Sequence, residues 1–344
     1  MSKRKLGLNP EQKLFTLEFG RLFIFLIIIL IIASMLNPQT FLRLTNFRSM
    51  SRQLVEYGLL SFSMAICMIS GGIDVSIVYI SNLSAILSAM FVQYFYPIST
   101  SHVNSVLILL AGVIIAILVG AFCGALNGIL ISKMHIPAML ATLGTSQLFT
   151  GLGVVITGGS TVSNLPEPIS LAGTMLFLGV PIMFIVFICV AVLIHLLTGK
   201  TKYGIRLYLV GTNEKAARFS GINVDKILIS TYMLSGVIAS MAGISTLMRV
   251  NSAKADYGSS YTLQCILIAV LGGVNPNGGF GMIPCVALAV IILQVLSSLL
   301  NMIPSISNFY RDLIWGVTLV IIMIVNNALQ NNKVNKVPSV NNKE

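Results

Sequence analysis

Few residues in this chain could carry chemistry, and their types narrow what that chemistry is. Asp74 stands in SGGIDVSI, an acid at the edge of an apolar run with a special backbone before it. Gly71 and Gly72 permit a tight bend, Asp74 can cap the following helix through its carboxylate, and Ser76 offers a second cap. The position also suits a gate in a path across a membrane. A proton relay would need further titratable groups in the bundle, and this reading finds none. A second unusual stretch, LGGVNPNGGFG at 271–281, holds Gly272, Gly273, Gly278, Gly279 and Gly281 around a proline. It cannot be helical, and such backbone near a membrane is tolerated only where protein or a watery cavity covers it. Neither stretch is a phosphate loop. The nearest approach to G-x-x-x-x-G-K-[ST] is Gly199-Lys200-Thr201, where Ile194 occupies the position that needs glycine. If ATP powers this protein, another subunit hydrolyses it.

Catalysis has little behind it. There is no HExxH, no intramembrane acid pair and no Ser/His/Asp cluster. The five cysteines lie singly in apolar segments, and the three histidines have no ligand spacing. Cofactors and metals are therefore not expected in this chain. Polar side chains inside apolar runs include Asn82, Asn127, Thr142, Thr145 and Gln147. Most such groups should bond helix to helix. A minority are candidates to line a path for a polar, uncharged solute.

The elements that must position these residues follow from composition. The chain has 344 residues, 56% hydrophobic and 9% charged, against roughly 25% charged in soluble domains. Apolar runs of about 20 residues recur throughout, each long enough to span a hydrocarbon core as a helix. The expectation is an all-α, polytopic membrane protein of about ten transmembrane helices, at roughly 20–36, 54–70, 75–96, 105–131, 138–157, 176–197, 227–248, 260–271, 283–300 and 311–328. An amphipathic connector is expected between the first two. A tail at 1–19 and an Asn/Lys-rich tail at 329–344 flank one permease-sized domain, 20–328. Fifteen of the 21 Lys and Arg residues then fall on the side of both tails, which places the termini in the cytoplasm. The net charge of +11 is spread through loops beside apolar spans, so it orients the protein in a bilayer and does not point to nucleic acid.

One cytoplasmic segment, 198–226, is too long and too well punctuated to be a connector. Asn213 is an N-cap, Glu214 suits the positive end of the dipole, and Ala216-Ala217 propagate a short helix with Arg218 and Ser220. Gly221 supplies the stop. A basic, structured loop of this kind reads as a docking surface.

These stretches together resemble one family. SGGIDVSI, GALNGIL at 124–130, IPAMLATLGTSQLFTGL at 136–152, GTNEKAARFSGINVDK at 211–226 and LGGVNPNGGFG occur in the order seen in permease subunits of ribose-type bacterial ABC importers. That monosaccharide and autoinducer-2-like group belongs to the branched-chain/sugar permease superfamily. The resemblance spans about 20–328; Val78-Tyr79 depart from the Gly-Ser usual there. It implies a type II ABC-importer permease fold, a second permease subunit, cytoplasmic ATPase subunits and an extracytoplasmic sugar-binding protein. It also implies that 211–221 is the coupling helix held by the ATPase. The rival expectation is an ion-coupled secondary transporter of a small neutral solute.

Overall fold

Long apolar runs without interior proline close their own backbone hydrogen bonds as helices, the one arrangement a single apolar segment can adopt in lipid. The computed structural model describes residues 10–98 and 101–302, together with Leu313, Trp315, Gly316, Val317 and Val320. In order, the helices are α1 (Pro10–Leu36), α2 (Pro38–Phe41), α3 (Leu44–Ile69), α4 (Ile77–Phe95), α5 (His102–Ser132), α6 (Ala138–Thr157) and α7 (Glu167–Thr174). A two-residue hairpin, β1 (Leu176–Phe177) and β2 (Val180–Pro181), precedes α8 (Ile182–Lys200). Then come α9 (Lys202–Thr212), α10 (Glu214–Phe219), α11 (Val224–Val250), α12 (Tyr261–Leu271) and α13 (Ile283–Asn301). The fold is all-α and polytopic. Among the described residues, seven helices are long and apolar enough to cross a membrane. Helix α12 has 11 residues, about 16 Å of rise, and reaches only half-way through a core of about 30 Å. The expected helix at 311–328 falls largely outside the described residues, as does the tail beyond it.

Three boundaries depart from expectation. The arginine-bearing connector is not separate: α3 begins at Leu44 and carries Arg48 and Arg52 on the same 26-residue helix as the buried segment. The sixth expected helix starts at Ile182, not 176, because Leu178 and Gly179 take positive φ and turn the chain into the hairpin first. Helix α9 is not expected at all.

Helix α11 is the axis of the bundle, packed on α3, α4 and, most extensively, α5. Gly120, Gly124 and Gly128 recur every four residues on α5 and so share one face. A Cβ at Gly124 would lie 2.1 Å from the Tyr232 carbonyl oxygen, and one at Gly120 would lie 2.3 Å from that of Gly236. Backbone thus meets backbone, the small-residue contact that holds helices together where no hydrophobic drive separates them from lipid. Helix α11 has 27 residues, about 40 Å. Its start adjoins α10. Its last turn reaches α7, where a Cβ at Gly173 would meet the Met248 carbonyl. The bundle therefore has a loop end, with α9 and α10, and a far end.

Candidate functional site

At the loop end, α10 forms as its caps dictate. The Asn213 side chain accepts from the Ala216 N–H at 2.9 Å. The Gly221 N–H donates to Arg218, and the Ile222 N–H reaches back to the Ala217 carbonyl at 3.1 Å. With Gly221 at φ +78°, this is a Schellman stop. Asn223 starts α11 in the same way, accepting from the Lys226 N–H at 2.9 Å. Arg218 bridges Glu214 at 3.4 Å and Asp225 at 2.8 Å, which fastens α10 to the first turn of α11. The Asp225 carboxylate holds the Arg218 guanidinium above its usual range. Ala217 is the buried residue of α10, turned towards the bundle. Phe219, which sequence reasoning passed over, is 93% exposed.

Helix α9 anchors this unit. Thr201 caps it by accepting from the Gly204 N–H at 3.1 Å, and its buried face is Gly204, Leu207 and Val210. At its end the two glycine breaks, far apart in sequence, meet. A Cβ at Gly211 would lie 1.9 Å from the Ile69 carbonyl oxygen and 2.7 Å from the Gly279 nitrogen. One at Gly278 would lie 2.7 Å from the Gly71 Cα. The Gly279 N–H donates to Ile69 at 3.0 Å, and the Tyr208 hydroxyl donates to the Gly281 carbonyl at 2.6 Å. Gly272 packs its Cα against the Val286 backbone, and Gly273 turns at φ +80°. The bend at 70–74, the break at 272–281 and the end of α9 are one junction.

Above it lies Asp74, wholly buried. It does not cap α4, which begins at Ile77 behind Ser76. Its Oδ1 instead accepts from the Ser76 N–H at 3.0 Å and the Ser76 hydroxyl at 2.6 Å. Asx geometry two residues on is the shorter reach for this side chain, and it holds the bend itself. The Ser76 hydroxyl makes no cap bond either; it accepts from Asn127 Nδ2 at 2.7 Å. Ser235 of α11 approaches Asp74 Oδ2 at 3.4 Å and pairs with Ser63 of α3 at 2.6 Å. Thr142 clasps the bend from α6, donating to the Ile73 carbonyl at 3.1 Å and accepting from the Val75 N–H at 3.2 Å. A cleft of about 510 Å³ opens beside the junction, lined by Gly71, Gly72, His135, Glu214, Arg218 and Tyr232.

The other candidates for path lining part company. Asn82 donates to the Ala255 and Tyr257 carbonyls and so holds the far-end loop. Thr145 bonds the Thr142 carbonyl within its own helix. Gln147 lies on the exposed side of α6 beside Leu143 and Leu148, away from the bundle interior. The expectation that no further acid stands inside an apolar helix is also corrected. Glu56 on α3 is 3% exposed and meets Arg249 of α11 at 2.6 Å. Arg249 also donates to the Tyr257 hydroxyl at 2.7 Å. The position of Glu56, two residues into the helix expected at 54–70, was the available signal, masked by its apolar neighbours.

Residues 46–323 match the family described as branched-chain amino acid transport system / permease component. The chain belongs to that family. It is a multi-pass membrane permease, and its relatives are transport subunits rather than enzymes. It is 35% identical over 305 residues to the ribose import permease protein of Bacillus subtilis (strain 168), covering 88% of this chain and 91% of that one. It is 32% identical to the ribose import permease protein of Escherichia coli (strain K12), covering 89% and 92%. It is also 32% identical to the autoinducer 2 import system permease protein of Yersinia enterocolitica, covering 86% and 77%. No solved structure matches the chain.

Proposed function

We propose that this permease is the membrane subunit of an ATP-binding-cassette importer, and that its cargo is a simple sugar of the ribose class. The observation that carries the reading is α10: a capped, outward-facing helix with Phe219 bare, tied to the junction of the two glycine breaks. An exposed aromatic on a rigid basic element is what a partner's groove can hold. The ATPase subunits, which bind ATP and Mg²⁺, grip Asn213 to Gly221. Their closure displaces α10, and α9 carries the displacement to the turn at Gly71 and to the break at Gly278. Close backbone contact transmits such a movement without slack. The Asp74–Ser76–Asn127 bonds then move with the bend and gate the path.

In this reading the protein lies in the bacterial plasma membrane with both termini and residues 198–226 in the cytoplasm. A second permease subunit, identical or paralogous, completes the path, and an extracytoplasmic binding protein delivers the sugar. The names of the relatives supply the sugar class, and the scarcity of unpaired charge inside the bundle agrees with a neutral solute.

The test is reconstitution of the permease with its ATPase and binding protein in liposomes, followed by uptake of labelled ribose and related pentoses. ATP inside or outside should be required according to orientation, and a proton or sodium gradient should not substitute. Uptake by the permease alone, driven by an ion gradient, would sink the proposal.

A further inference from the structure

The far end holds a cavity of about 320 Å³ between α3, α11, α12 and α13, with Trp315 on its wall. That is the lower end of the range for ligand pockets, with room for about ten waters. Three glutamines from three helices meet there: Gln53, Gln264 and Gln294. Helix packing alone needs few amides, and amides are costly beside an apolar core unless they find partners. An amide offers donors and an acceptor together, the match for a row of hydroxyl groups. Gln294 accepts from the Tyr57 hydroxyl. Its bond to Gln53, at 3.5 Å, is long enough for a solute hydroxyl to replace.

The charges in the wall cancel. Glu56 and Arg249 neutralise each other at 2.6 Å, so an ionic solute would find no free counter-charge, whereas a hydroxyl can share either partner's lone pairs or protons. Tyr57, Tyr257 and Tyr261 stand edge to face, with centroids 6.3 and 6.1 Å apart. With Trp315 they bring aromatic rings to the wall, and the face of any one of them is apolar surface against which the C–H face of a sugar ring can pack.

We propose that this cavity binds one neutral, polyhydroxylated solute of monosaccharide size on its way through the permease. The proposal rests on the importer reading for its orientation, and it is separable from that reading by experiment. A site on a path must release what it takes, so affinity on the order of millimolar is expected.

Trp315 is the only tryptophan in the chain, so its fluorescence reports this cavity alone. The full-length permease, in lipid nanodiscs without partners, is titrated with ribose, arabinose, xylose, glucose and galactose, and with gluconate and glucosamine as charged counterparts. Saturation-transfer NMR on the same samples gives a readout independent of the optical one. A saturable response is expected to at least one neutral sugar and to neither charged one. Gln294→Leu and Gln53→Leu should each weaken it at least tenfold, while Gly144→Ala, at a position with open space around it, leaves it unchanged. Absence of a saturable response to every neutral sugar in both readouts, in protein that sustains ATP-driven uptake when reconstituted, would overturn the site and leave the importer standing. So would an unaltered titration in a Gln294→Leu protein that elutes and melts as the parent does. A response that persists where ATP-driven uptake cannot be reconstituted keeps the site and removes the importer.

Discussion

Phe219 is the residue on which recognition at the loop end should turn. An aromatic side chain 93% exposed on a six-residue helix gains nothing where it is, and burying it in a groove is worth roughly 1.5–3 kcal/mol. Phe219→Ala should therefore weaken ATPase association 10- to 100-fold, read by co-purification from detergent, with the melting temperature of the permease unchanged. Ala217→Trp should act differently. Ala217 faces the bundle, so a large side chain there unseats α10 from α11 and lowers thermal stability as well as association. Asp74 makes a third prediction. Asn keeps the Oδ1 acceptor for both Ser76 bonds, so Asp74→Asn should retain the fold and much of the uptake. Asp74→Ala leaves the Ser76 N–H and hydroxyl unmet in a buried place, a loss of about 1–3 kcal/mol that thermal unfolding would register. If Asp74→Asn instead abolished transport with assembly intact, a charge-dependent role would replace the structural one.

Among elements, local signals and close contacts divide what could be read in advance. The caps Asn213 and Gly221 are legible in the sequence because each acts on backbone within three residues of itself. Asp74 and Ser76 are legible as turn formers, but an Asx turn and a helix cap use the same residue types, and only the start of α4 at Ile77 tells them apart. Helix α9 hides because it is only 11 residues long and carries glycines at 204 and 211 where its backbone meets the bundle, so the stretch reads as a connector. The α5–α11 seam is visible as glycines every four residues, although their partner on α11 is not. That seam gives an element-scale prediction. Gly124→Ala should cost about 1–3 kcal/mol, since its Cβ would lie 2.1 Å from the Tyr232 carbonyl oxygen and the helices must part. Gly151→Ala, with open space at the same kind of helical position, should be neutral or slightly stabilising in the same melt.

For the whole molecule, the two ends are built on different physics. The loop end is backbone against backbone, with side chains deleted at each meeting point. The far end is a polar cluster in which Glu56 depends on Arg249. Arg249→Ala should destabilise the permease by about 3 kcal/mol by stranding a buried carboxylate, and a paired Glu56→Gln, Arg249→Met variant should recover most of the loss in thermal melts. Pair contacts across the bundle are where sequence reading stops: Glu56 and Arg249 belong to helices distant in the chain, and nothing local couples them. Helix α11 spans both ends, touching α10 at its start and carrying Arg249 in its last turn.

The glycine junction also sets an order of events in time. Its three strands come from the turn at Gly71, the end of α9 at Gly211 and the break at Gly278, so the first waits for the last. At roughly 5–20 residues per second of synthesis, the intervening chain of about 200 residues takes on the order of 10–40 seconds to emerge. For roughly the last 57 residues of that interval, about 3–11 seconds, α10 has its own caps and α9 rests on α8 and on the Ile69 carbonyl, but the contact from Gly278 and Gly279 is still missing. On the importer reading, a chain truncated or stalled before Gly281 would present α10 on a less firmly seated α9, a weaker purchase for an ATPase than the finished permease offers.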